Sequence, residues 1–273
     1  MDNSDSELTE GQSLLIKTLG RLRILILNRP SRMNALTPDL HRSIQAAVFD
    51  AAMDDEVHAL LITGAGRAFC AGGDIKASSE RARQTRETGK QRAESLRQHG
   101  QTVIALNQMP KITIAYINGV AAGAGLALAL ACDLRIASRE AVLKTAYSEM
   151  ALSGDLGVSY FLAALVGPSK AKELMILSEK ISAQRAFELG MINRLVDTLD
   201  QDNFDDEWIQ KISNGPAIAF QYIKQNILMT EVDLLKKVID LEADNSIHCL
   251  RTEDCKEAAA AFREKRKPRF HGQ

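Results

Sequence analysis

Two turns of small residues, each following an apolar run, are the parts of this chain best suited to chemistry. The first is FCAGGDI at 69–75, and the second is INGVAAGAG at 117–125. Glycine and alanine leave backbone N–H groups unshielded, so a ligand atom can approach them closely. Where such a turn opens a helix, the first N–H groups lack an intrahelical acceptor and carry the positive end of the helix dipole. If the two turns converge, they would form an oxyanion hole of backbone donors.

The composition is that of an ordinary globular protein. The chain has 273 residues, of which 45% are hydrophobic and 25% charged, and its net charge is -1. This length suits one large α/β domain, or a main domain with a small appendage. The balanced charge argues against a nucleic-acid or polyanion partner, and no apolar run reaches the roughly 18 residues of a membrane span. The acidic start does not resemble a secretory or mitochondrial leader, so we expect a cytoplasmic protein.

Cysteine and histidine patterns predict no structural metal. The four cysteines (Cys70, Cys132, Cys249 and Cys255) form no C-x-x-C pair. The five histidines are scattered, without the spacing of zinc ligands. We expect Cys70 and Cys132 to be small buried thiols in a reducing compartment.

Strands and helices alternate along the first two thirds of the chain. Apolar patterns predict strands at 14–18, 22–28, 59–63, 112–117, 134–136, 141–145 and 191–196. The first two are predicted to form a hairpin through residues 19–21, and the continuous apolar run at 59–63 predicts a strand buried on both faces. Thr37-Pro38 is typical of a helix start, with threonine as the cap and proline in the first position. Helices are also predicted at 103–106, 171–177 and 183–189, and after residue 206 the chain is helical to its end. This order indicates a parallel α/β core followed by a helical region.

Residues 78–100 differ from their surroundings because they are densely charged and have little apolar periodicity. Such a segment is typical of a solvated, mobile helix or loop. Since it directly follows the first small-residue turn, it could also cover a ligand pocket.

Six segments, in this order, resemble the crotonase (enoyl-CoA hydratase/isomerase) superfamily. The resemblance spans about residues 12–271. The segments are LNRP with NAL (27–30 and 34–36), AFCAGGDI (68–75), INGVAAGAG (117–125), ACDLRI (131–136), ISAQRAFELGMIN (181–193) and AFREKRKPRF (261–270).

The resemblance implies a spiral of ββα units with a C-terminal helical region, and we place the spiral core at 12–200 and the helical oligomerisation region at 201–273. It also implies a homotrimer or a dimer of trimers acting on an acyl-CoA thioester. Coenzyme A is then part of the substrate, and no separate cofactor is expected. The two oxyanion-hole donors would be the N–H groups of Gly73 and Ala124.

The same resemblance makes hydration doubtful as the main activity. Hydratases of the superfamily carry two glutamates, and the matching positions here are Ala127 and Tyr147. Some members instead use a single carboxylate further along, among them enoyl-CoA isomerases, ring-epoxide isomerases and an aryl-CoA dehalogenase. The matching residue is Asp155. One carboxylate suffices for a 1,3-proton shift if burial raises its pKa above the ordinary value near ~3.9.

Other interpretations of these residues stay open. The Ser-Gly-Asp context of Asp155 also suits a helix N-cap. A two-residue gap in the match would place Glu149 on the second hydratase glutamate. Tyr147 could line the substrate pocket or be a core aromatic. His99 falls near a histidine that the dehalogenase uses, but a place on a helix surface explains it better.

Contacts with the coenzyme A moiety are also implied by the resemblance. The family places a basic group and a backbone contact near Arg32 and Ala35. Residues expected to line the pantetheine arm and the thioester are Ala71, Gly72, Asp74, Ile75, Gly123 and Tyr147. The basic run at 263–267 could meet phosphates, or could be a solvated helix face.

The resulting prediction is an enoyl-CoA double-bond isomerase with Asp155 as acid and base. Alternatives within the enzyme class are an enoyl-CoA hydratase, an aryl-CoA dehalogenase or an acyl-CoA thioesterase, the last two with Asp155 as nucleophile. An alternative of another class is a non-catalytic scaffold that binds acyl-CoA or RNA, which the two missing glutamates would favour.

Overall fold

The structure is a computed structural model that describes residues 12–74, 77, 88–199, 201, 204–228 and 232–271. Two β-sheets and a set of helices make a mixed α/β architecture, as predicted from the alternation of strands and helices. The helices of the last quarter of the chain follow the final strand, also as predicted.

The larger sheet has six strands in the order β1-β2-β3-β5-β7-β10. β1 and β2 form the predicted antiparallel hairpin, and the remaining neighbours are parallel. All six residues of β3 are buried, as expected for a central strand covered on both faces. The strands are β1 (Leu14–Leu19), β2 (Leu22–Leu27), β3 (Ala59–Gly64), β5 (Ile112–Ile117), β7 (Leu134–Ser138) and β10 (Arg194–Val196).

The smaller sheet has four short strands in the order β4-β6-β8-β9. They are β4 (Ala68–Cys70), β6 (Val120–Ala122), β8 (Val142–Lys144) and β9 (Ile181–Ser182). β4, β6 and β8 run parallel to one another, and β9 is antiparallel to β8. The carboxyl ends of three strands therefore lie at one edge of this sheet.

Helices cover both sheets and continue to the end of the described chain. None of the described helices is long and apolar enough to cross a membrane. The α-helices are α1 (Pro38–Met53), α2 (Gly89–Gln108), α3 (Ala124–Leu130), α4 (Val158–Leu177), α5 (Ala183–Glu188), α6 (Glu207–Ser213), α7 (Ala217–Leu228), α8 (Val232–Leu250) and α9 (Glu253–Glu264). Short 3-10 turns occur at Pro30–Arg32 and Ser148–Met150.

The start of α1 confirms the cap predicted at Thr37-Pro38. The Thr37 hydroxyl accepts a hydrogen bond from the Leu40 N–H at 3.2 Å, and Pro38 is the first helical residue. Thr37 satisfies one of the N–H groups that a helix start leaves without a partner, and proline has no N–H to satisfy. Leu40, Ile44 and Val48 then form the buried stripe of α1.

Part of the charged segment is helical, which is one of the two structures predicted for it. Residues 78–87 lie outside the described part of the chain, but 89–100 form the first turns of α2. Ala93 and Gly100 are buried there, and Arg97 forms ion pairs with Asp240 at 3.2 Å and with Asp244 at 2.7 Å on α8. The tertiary contact with α8 gives this charged helix a partner that local periodicity does not show.

A pair of histidines lies between α1 and α2. His41 is buried, its Nδ1 lies 3.0 Å from the Thr102 hydroxyl, and its ring stacks on that of His99 with centroids 4.4 Å apart. His99 is thus on a helix, as predicted, but its ring is a packing partner of α1. Burial, with a smaller contribution from His99, lowers the pKa of His41 to about 3.

We expect His41 to make the stability pH-dependent. The folded state holds the imidazole neutral, whereas the unfolded chain binds a proton below about pH 6.5. The contribution of neutral His41 to the free energy of unfolding is therefore complete above that pH. It is lost as the pH falls toward 3, by up to about 1.4 kcal/mol per pH unit. Urea unfolding between pH 7 and 5 should show a shallower decline for His41→Asn than for the wild type. A His248→Asn control, at an exposed position, should keep the wild-type slope; equal slopes in all three proteins would contradict this account.

Candidate active site

The two small-residue turns meet at the carboxyl edge of the smaller sheet. β4 leads into Ala71-Gly72-Gly73, and β6 leads into Gly123-Ala124. β8, the third parallel strand, leads toward Tyr147. The pairing of Ala121 with both Cys70 and Leu143 aligns these three strand ends. The structure thus brings together residues that lie more than 70 positions apart.

The contact between the two turns is close enough to require glycine. A Cβ atom placed on Gly72, whose φ is +98°, would lie 2.9 Å from the Ala122 carbonyl oxygen and 3.6 Å from the Ala124 nitrogen. A Cβ on Gly125 would lie 2.2 Å from the Cys70 carbonyl oxygen. Both glycines therefore permit a backbone-to-backbone approach that any larger residue would prevent.

The Gly73 N–H is directed away from its neighbouring strand. Leu36 forms backbone hydrogen bonds with the two residues that flank Gly73. Its N–H donates to the Gly72 carbonyl at 2.8 Å, and its carbonyl accepts the Asp74 N–H at 3.0 Å. In such a parallel bridge the middle residue points its own N–H to the opposite side. A Cβ on Gly73 would meet no atom within 4 Å, so open space adjoins this residue.

Ala124 is the first residue of α3, so its N–H has no acceptor inside the helix. Among the described residues, neither this N–H nor that of Gly73 has a hydrogen-bond acceptor. Gly123, the residue before Ala124, is buried. Its N–H donates to the Lys144 carbonyl at 3.0 Å and holds the turn against β8. The geometry is that of two backbone donors at one edge of the smaller sheet.

The buried side-chain amide of Asn34 connects the loops next to the first small-residue turn. Asn34 is fully buried, and its amide donates to the carbonyls of Ala65 at 2.9 Å and Ala68 at 2.7 Å. The Asn34 carbonyl accepts the Arg29 N–H at 2.8 Å. Since Asn34 adopts a left-handed φ of 56°, these bonds pin a strained residue beside β4.

Asp74 and the predicted coenzyme A contacts form a charged cluster beside this turn. The Asp74 carboxylate pairs with Arg29 at 2.9 Å and accepts the Ala77 N–H at 3.2 Å. Burial raises the pKa of Asp74, but these donors and the charge of Arg32 outweigh it, so the pKa lies below its usual range. Arg32 is exposed, whereas the buried Ala35 offers its carbonyl to Arg29. Arg32 is therefore the basic side chain of this cluster that remains accessible, and Ile75 lies outside the described residues.

Asp155 faces Tyr147, which lies shortly after the end of β8. The buried Tyr147 hydroxyl donates to Asp155 Oδ1 at 2.6 Å. Burial raises the pKa of Asp155, and the bond from Tyr147 partly offsets that rise. Burial and the nearby carboxylate raise the pKa of the Tyr147 phenol, which therefore stays protonated and donating. The pair can hold a carboxyl group with a pKa closer to neutrality than that of a free aspartate.

The alternative that Asp155 is a helix N-cap is wrong. The N-cap position of α4 belongs to Gly157, and the Asp155 side chain bonds to Tyr147 instead. Glu242 accepts the N–H groups of Gly157 at 2.6 Å and Ser159 at 2.9 Å, and the Val158 N–H donates to the backbone carbonyl of Asp155 at 3.1 Å. Asp155 is therefore free of the local role that its sequence context suggests.

Glu242 and Ser246 were not identified from the sequence. Both lie on the buried face of α8, together with Leu235, Ile239 and Ala243. The signal was present, because a glutamate and a serine one turn apart interrupt an otherwise apolar helical stripe. Its meaning depends on what the helix packs against, which local patterning does not reveal.

Neither of the two positions that match the hydratase glutamates, Ala127 and Tyr147, carries a carboxylate. Ala127 is completely buried inside α3. Glu149, the alternative candidate, is half-exposed and its carboxylate pairs with Lys144 at 2.6 Å. Two sizeable cavities lie elsewhere: one of about 430 Å³ is lined by Met109 and Lys224, and one of about 310 Å³ by the two stacked histidines.

The arrangement suits proton transfer next to an anion. Two backbone donors can stabilise negative charge on one oxygen, and a single carboxyl of raised pKa can remove and return a proton. Cys70 and Cys132 are buried, as predicted, and burial raises the pKa of both thiols to about 12, so neither is a ready nucleophile.

Comparison with known proteins relates the whole chain to one family. A family model described as enoyl-CoA hydratase/isomerase matches residues 21–273. A protein of Escherichia coli K12 named 1,2-epoxyphenylacetyl-CoA isomerase is 35% identical over 251 residues, which are 91% of this chain and 94% of that protein. A protein of Rhodobacter capsulatus named probable enoyl-CoA hydratase is 32% identical over 254 residues, covering 92% and 95% of the two chains.

Solved structures agree with the fold. A crystal structure of an enoyl-CoA hydratase from Mycobacterium avium subsp. paratuberculosis is 29% identical, with a TM-score of 0.81 over 95% of this chain and 99% of the other. The arrangement of the two sheets and the covering helices is therefore shared over nearly the full length.

The close approach of the two turns predicts a strong effect of Gly72→Ala. Its new methyl group would meet the Ala122 oxygen and displace Gly73 from Ala124, so we expect reduced turnover and a lower melting temperature. Gly20→Ala is the matched control, because Gly20 also has a positive φ (56°) but no atom within 4 Å of a Cβ. The control should lose only the ~1–2 kcal/mol of left-handed strain and keep its activity. Equal effects in both variants would show that backbone strain alone matters.

Proposed function

Because the chain belongs to the enoyl-CoA hydratase/isomerase family, we propose that it is an enoyl-CoA double-bond isomerase with Asp155 as its one acid–base group. The observation that carries the proposal is the Asp155–Tyr147 pair. A carboxyl of raised pKa bonds to a residue that follows β8, and β8 pairs with β6, the strand that leads into Gly123 and Ala124. The substrate class is an acyl-CoA thioester.

In the proposed reaction Asp155 removes a proton from C2 of a 3-enoyl thioester. The electron pair of the broken C–H bond moves into the C1–C2 bond, and the thioester carbonyl becomes a dienolate oxygen. The N–H groups of Gly73 and Ala124 stabilise that oxygen, and one such donor is worth ~2.7–4 kcal/mol of the barrier. Asp155 then returns the proton to C4, which leaves a 2-enoyl thioester and the original carboxylate.

The lack of a carboxylate at both positions that match the hydratase glutamates favours isomerisation over hydration. Water addition needs an acid and a base together, whereas a 1,3-shift can use one group in both roles. Ala127 and Tyr147 occupy the two positions where the family resemblance places the hydratase glutamates, and Glu149 is engaged by Lys144. A raised Asp155 pKa supports both halves of the reaction, since the group must gain and lose the same proton.

The names of the relatives support an isomerase and widen the substrates worth testing. The Escherichia coli relative is named for an epoxide of phenylacetyl-CoA, so an aromatic acyl group belongs in the panel beside straight-chain enoyl groups. Arg32 is the exposed basic residue proposed to meet the coenzyme A moiety, with the Ala35 backbone beside it. Gly72, Asp74, Ala71 and Gly123 are proposed to line the thioester, and no cofactor is required.

We propose a homotrimer or a dimer of trimers as the assembly. Helix α7 carries four largely exposed apolar side chains, an exposed apolar face of the kind that subunit contacts cover. They are Ile218, Tyr222, Ile223 and Ile227. Sedimentation of the protein used in the assays distinguishes three subunits from six.

Asp155→Asn tests the proposed chemistry. Asparagine keeps the shape but cannot accept the proton, so we expect isomerisation of a 3-enoyl-CoA to fall by ~10²-fold or more, together with solvent deuterium uptake at C2 and C4. Asp197→Asn is the control, because Asp197 is almost fully exposed and should have no effect. Activity within about threefold of the wild type would exclude Asp155 as the general base.

Other outcomes of the same assay identify the alternatives. A covalent adduct on Asp155, detected by mass spectrometry, would indicate a nucleophilic dehalogenase or thioesterase. Net addition of water would indicate a hydratase. Ligand binding without exchange or turnover would indicate a binding protein, for which a filter assay with RNA separates the two ligand classes.

Tyr147→Phe should change the pH profile in a defined direction. The hydroxyl bond lowers the pKa of Asp155, so its removal should raise that pKa. Because the base must be deprotonated, the rising limb of kcat/KM against pH should move to higher pH. Tyr222→Phe, at an exposed site on α7, should leave the limb in place. If the rising limb does not move in Tyr147→Phe, the hydrogen bond from Tyr147 does not set the pKa of the catalytic base.

A further inference from the structure

The loop that carries Asp155 has an unusually strained backbone. Ala151 and Leu156 adopt left-handed φ values of 51° and 53°, although neither is glycine. Gly154 and Gly157 have φ values of 130° and 72°. A residue with a side chain costs of order 1–3 kcal/mol in this region, and such strain persists only where the surroundings oppose its release.

Helix α8 supplies that opposition through two buried polar side chains one turn apart. Glu242 accepts the N–H groups of Gly157 at 2.6 Å and Ser159 at 2.9 Å. The Ser246 hydroxyl donates to the Gly154 carbonyl at 2.5 Å. Side-chain exposure is only 5% for Glu242 and 4% for Ser246, so water does not compete strongly for these bonds.

Apolar packing brings α8 against the same segment. A Cβ on Gly157 would lie 2.9 Å from a Leu235 methyl carbon and 3.4 Å from Ile239, so α8 lies directly over the start of α4. Leu235 and Ile239 belong to the same buried stripe as Glu242. The helix is therefore seated by hydrophobic contacts, and its two polar residues meet the loop in a fixed register.

We propose that Glu242 is a positioning residue for Asp155: it caps helix α4 in place of Asp155 and leaves that carboxyl free to face Tyr147 and the substrate. This inference rests on the proposed role of Asp155. Without Glu242, the unpaired N–H groups of Gly157 and Ser159 would attract the carboxylate of Asp155, which lies two residues before Gly157.

A second consequence is electrostatic. Burial, together with the charge of the nearby Asp155, raises the pKa of Glu242 to about 7, against the N–H bonds that lower it. Tyr147 is the other titratable group that Glu242 faces. Charged side chains of the neighbouring helices are engaged elsewhere: Arg97 of α2 with Asp240 and Asp244, and, on α9, Lys256 with Glu253 and Glu257 with Arg266.

Glu242→Gln separates positioning from simple stability. The variant loses one acceptor, so Asp155 should turn toward α4 and accept the freed N–H groups, which favour its charged form. We expect kcat to fall about tenfold with KM within about twofold, and the rising limb of the pH profile to move down by about half a unit or more. This shift is opposite to that of Tyr147→Phe. Asp244→Asn, which removes an exposed charge from the same helix, is the matched control and should shift neither quantity.

Amide hydrogen exchange supplies a readout that does not need activity. Peptides covering residues 154–160 should exchange at least about threefold faster in Glu242→Gln than in the wild type, while α1 peptides stay unchanged. If Glu242→Gln does not fold, Ser246→Ala tests the same contact between α8 and the loop, because it removes the bond from the Ser246 hydroxyl to the Gly154 carbonyl. Glu242→Asp, which is too short to reach both N–H groups, should lower kcat in the same direction as Glu242→Gln.

The outcomes separate the two proposals. If Asp155→Asn retains activity while Glu242→Gln loosens residues 154–160, the proposed chemistry fails and α8 still holds the loop. If Asp155→Asn is inactive but Glu242→Gln leaves exchange, kcat and the pH limb at wild-type values, the positioning role is overturned. A fall in melting temperature with an unmoved pH limb and normal kcat would also overturn it, because that is the result of a purely structural role.

Discussion

Close backbone-to-backbone contact between the short strands of the smaller sheet is the constraint on which the rest of the site depends. Gly125 meets the Cys70 carbonyl and Gly119 meets the Arg67 carbonyl at distances that leave no room for a Cβ, which would lie 2.2 Å away in each case. This proximity aligns the carboxyl ends of β4, β6 and β8. Two peptide N–H groups thereby become fixed dipoles that need no reorganisation when charge develops beside them.

Stability and chemistry are linked through the loop that carries Asp155. Its left-handed residues are costly by themselves, and α8, far along the chain, offsets that cost with two buried hydrogen-bonding side chains. The same helix forms ion pairs with α2 through Arg97. The C-terminal helical region is thus physically continuous with the site, since the residue that caps α4 belongs to it.

Local sequence signals were reliable where a feature depends on neighbours in the chain. The Thr37-Pro38 helix start, the β1–β2 hairpin and the buried β3 strand follow from capping, turn and periodicity rules, and each is present in the structure. The same rules do not give the contacts of Asp155 or of residues 89–100. The local context of Asp155 suits an N-cap, but Glu242 binds two of the N–H groups at the start of α4. The ion pairs of the charged helix cannot be read locally, because its partner, α8, lies some 140 residues away.

Residue type and order alone identify the family resemblance, the two small-residue turns and the lack of carboxylates at positions 127 and 147. Contacts between distant segments had to be read from the folded chain: the meeting of the two turns, the bond from Tyr147 to Asp155, and the bond from Gly157 to Glu242. Capping and periodicity act over one helical turn, whereas burial and charge coupling depend on which distant segments exclude water together.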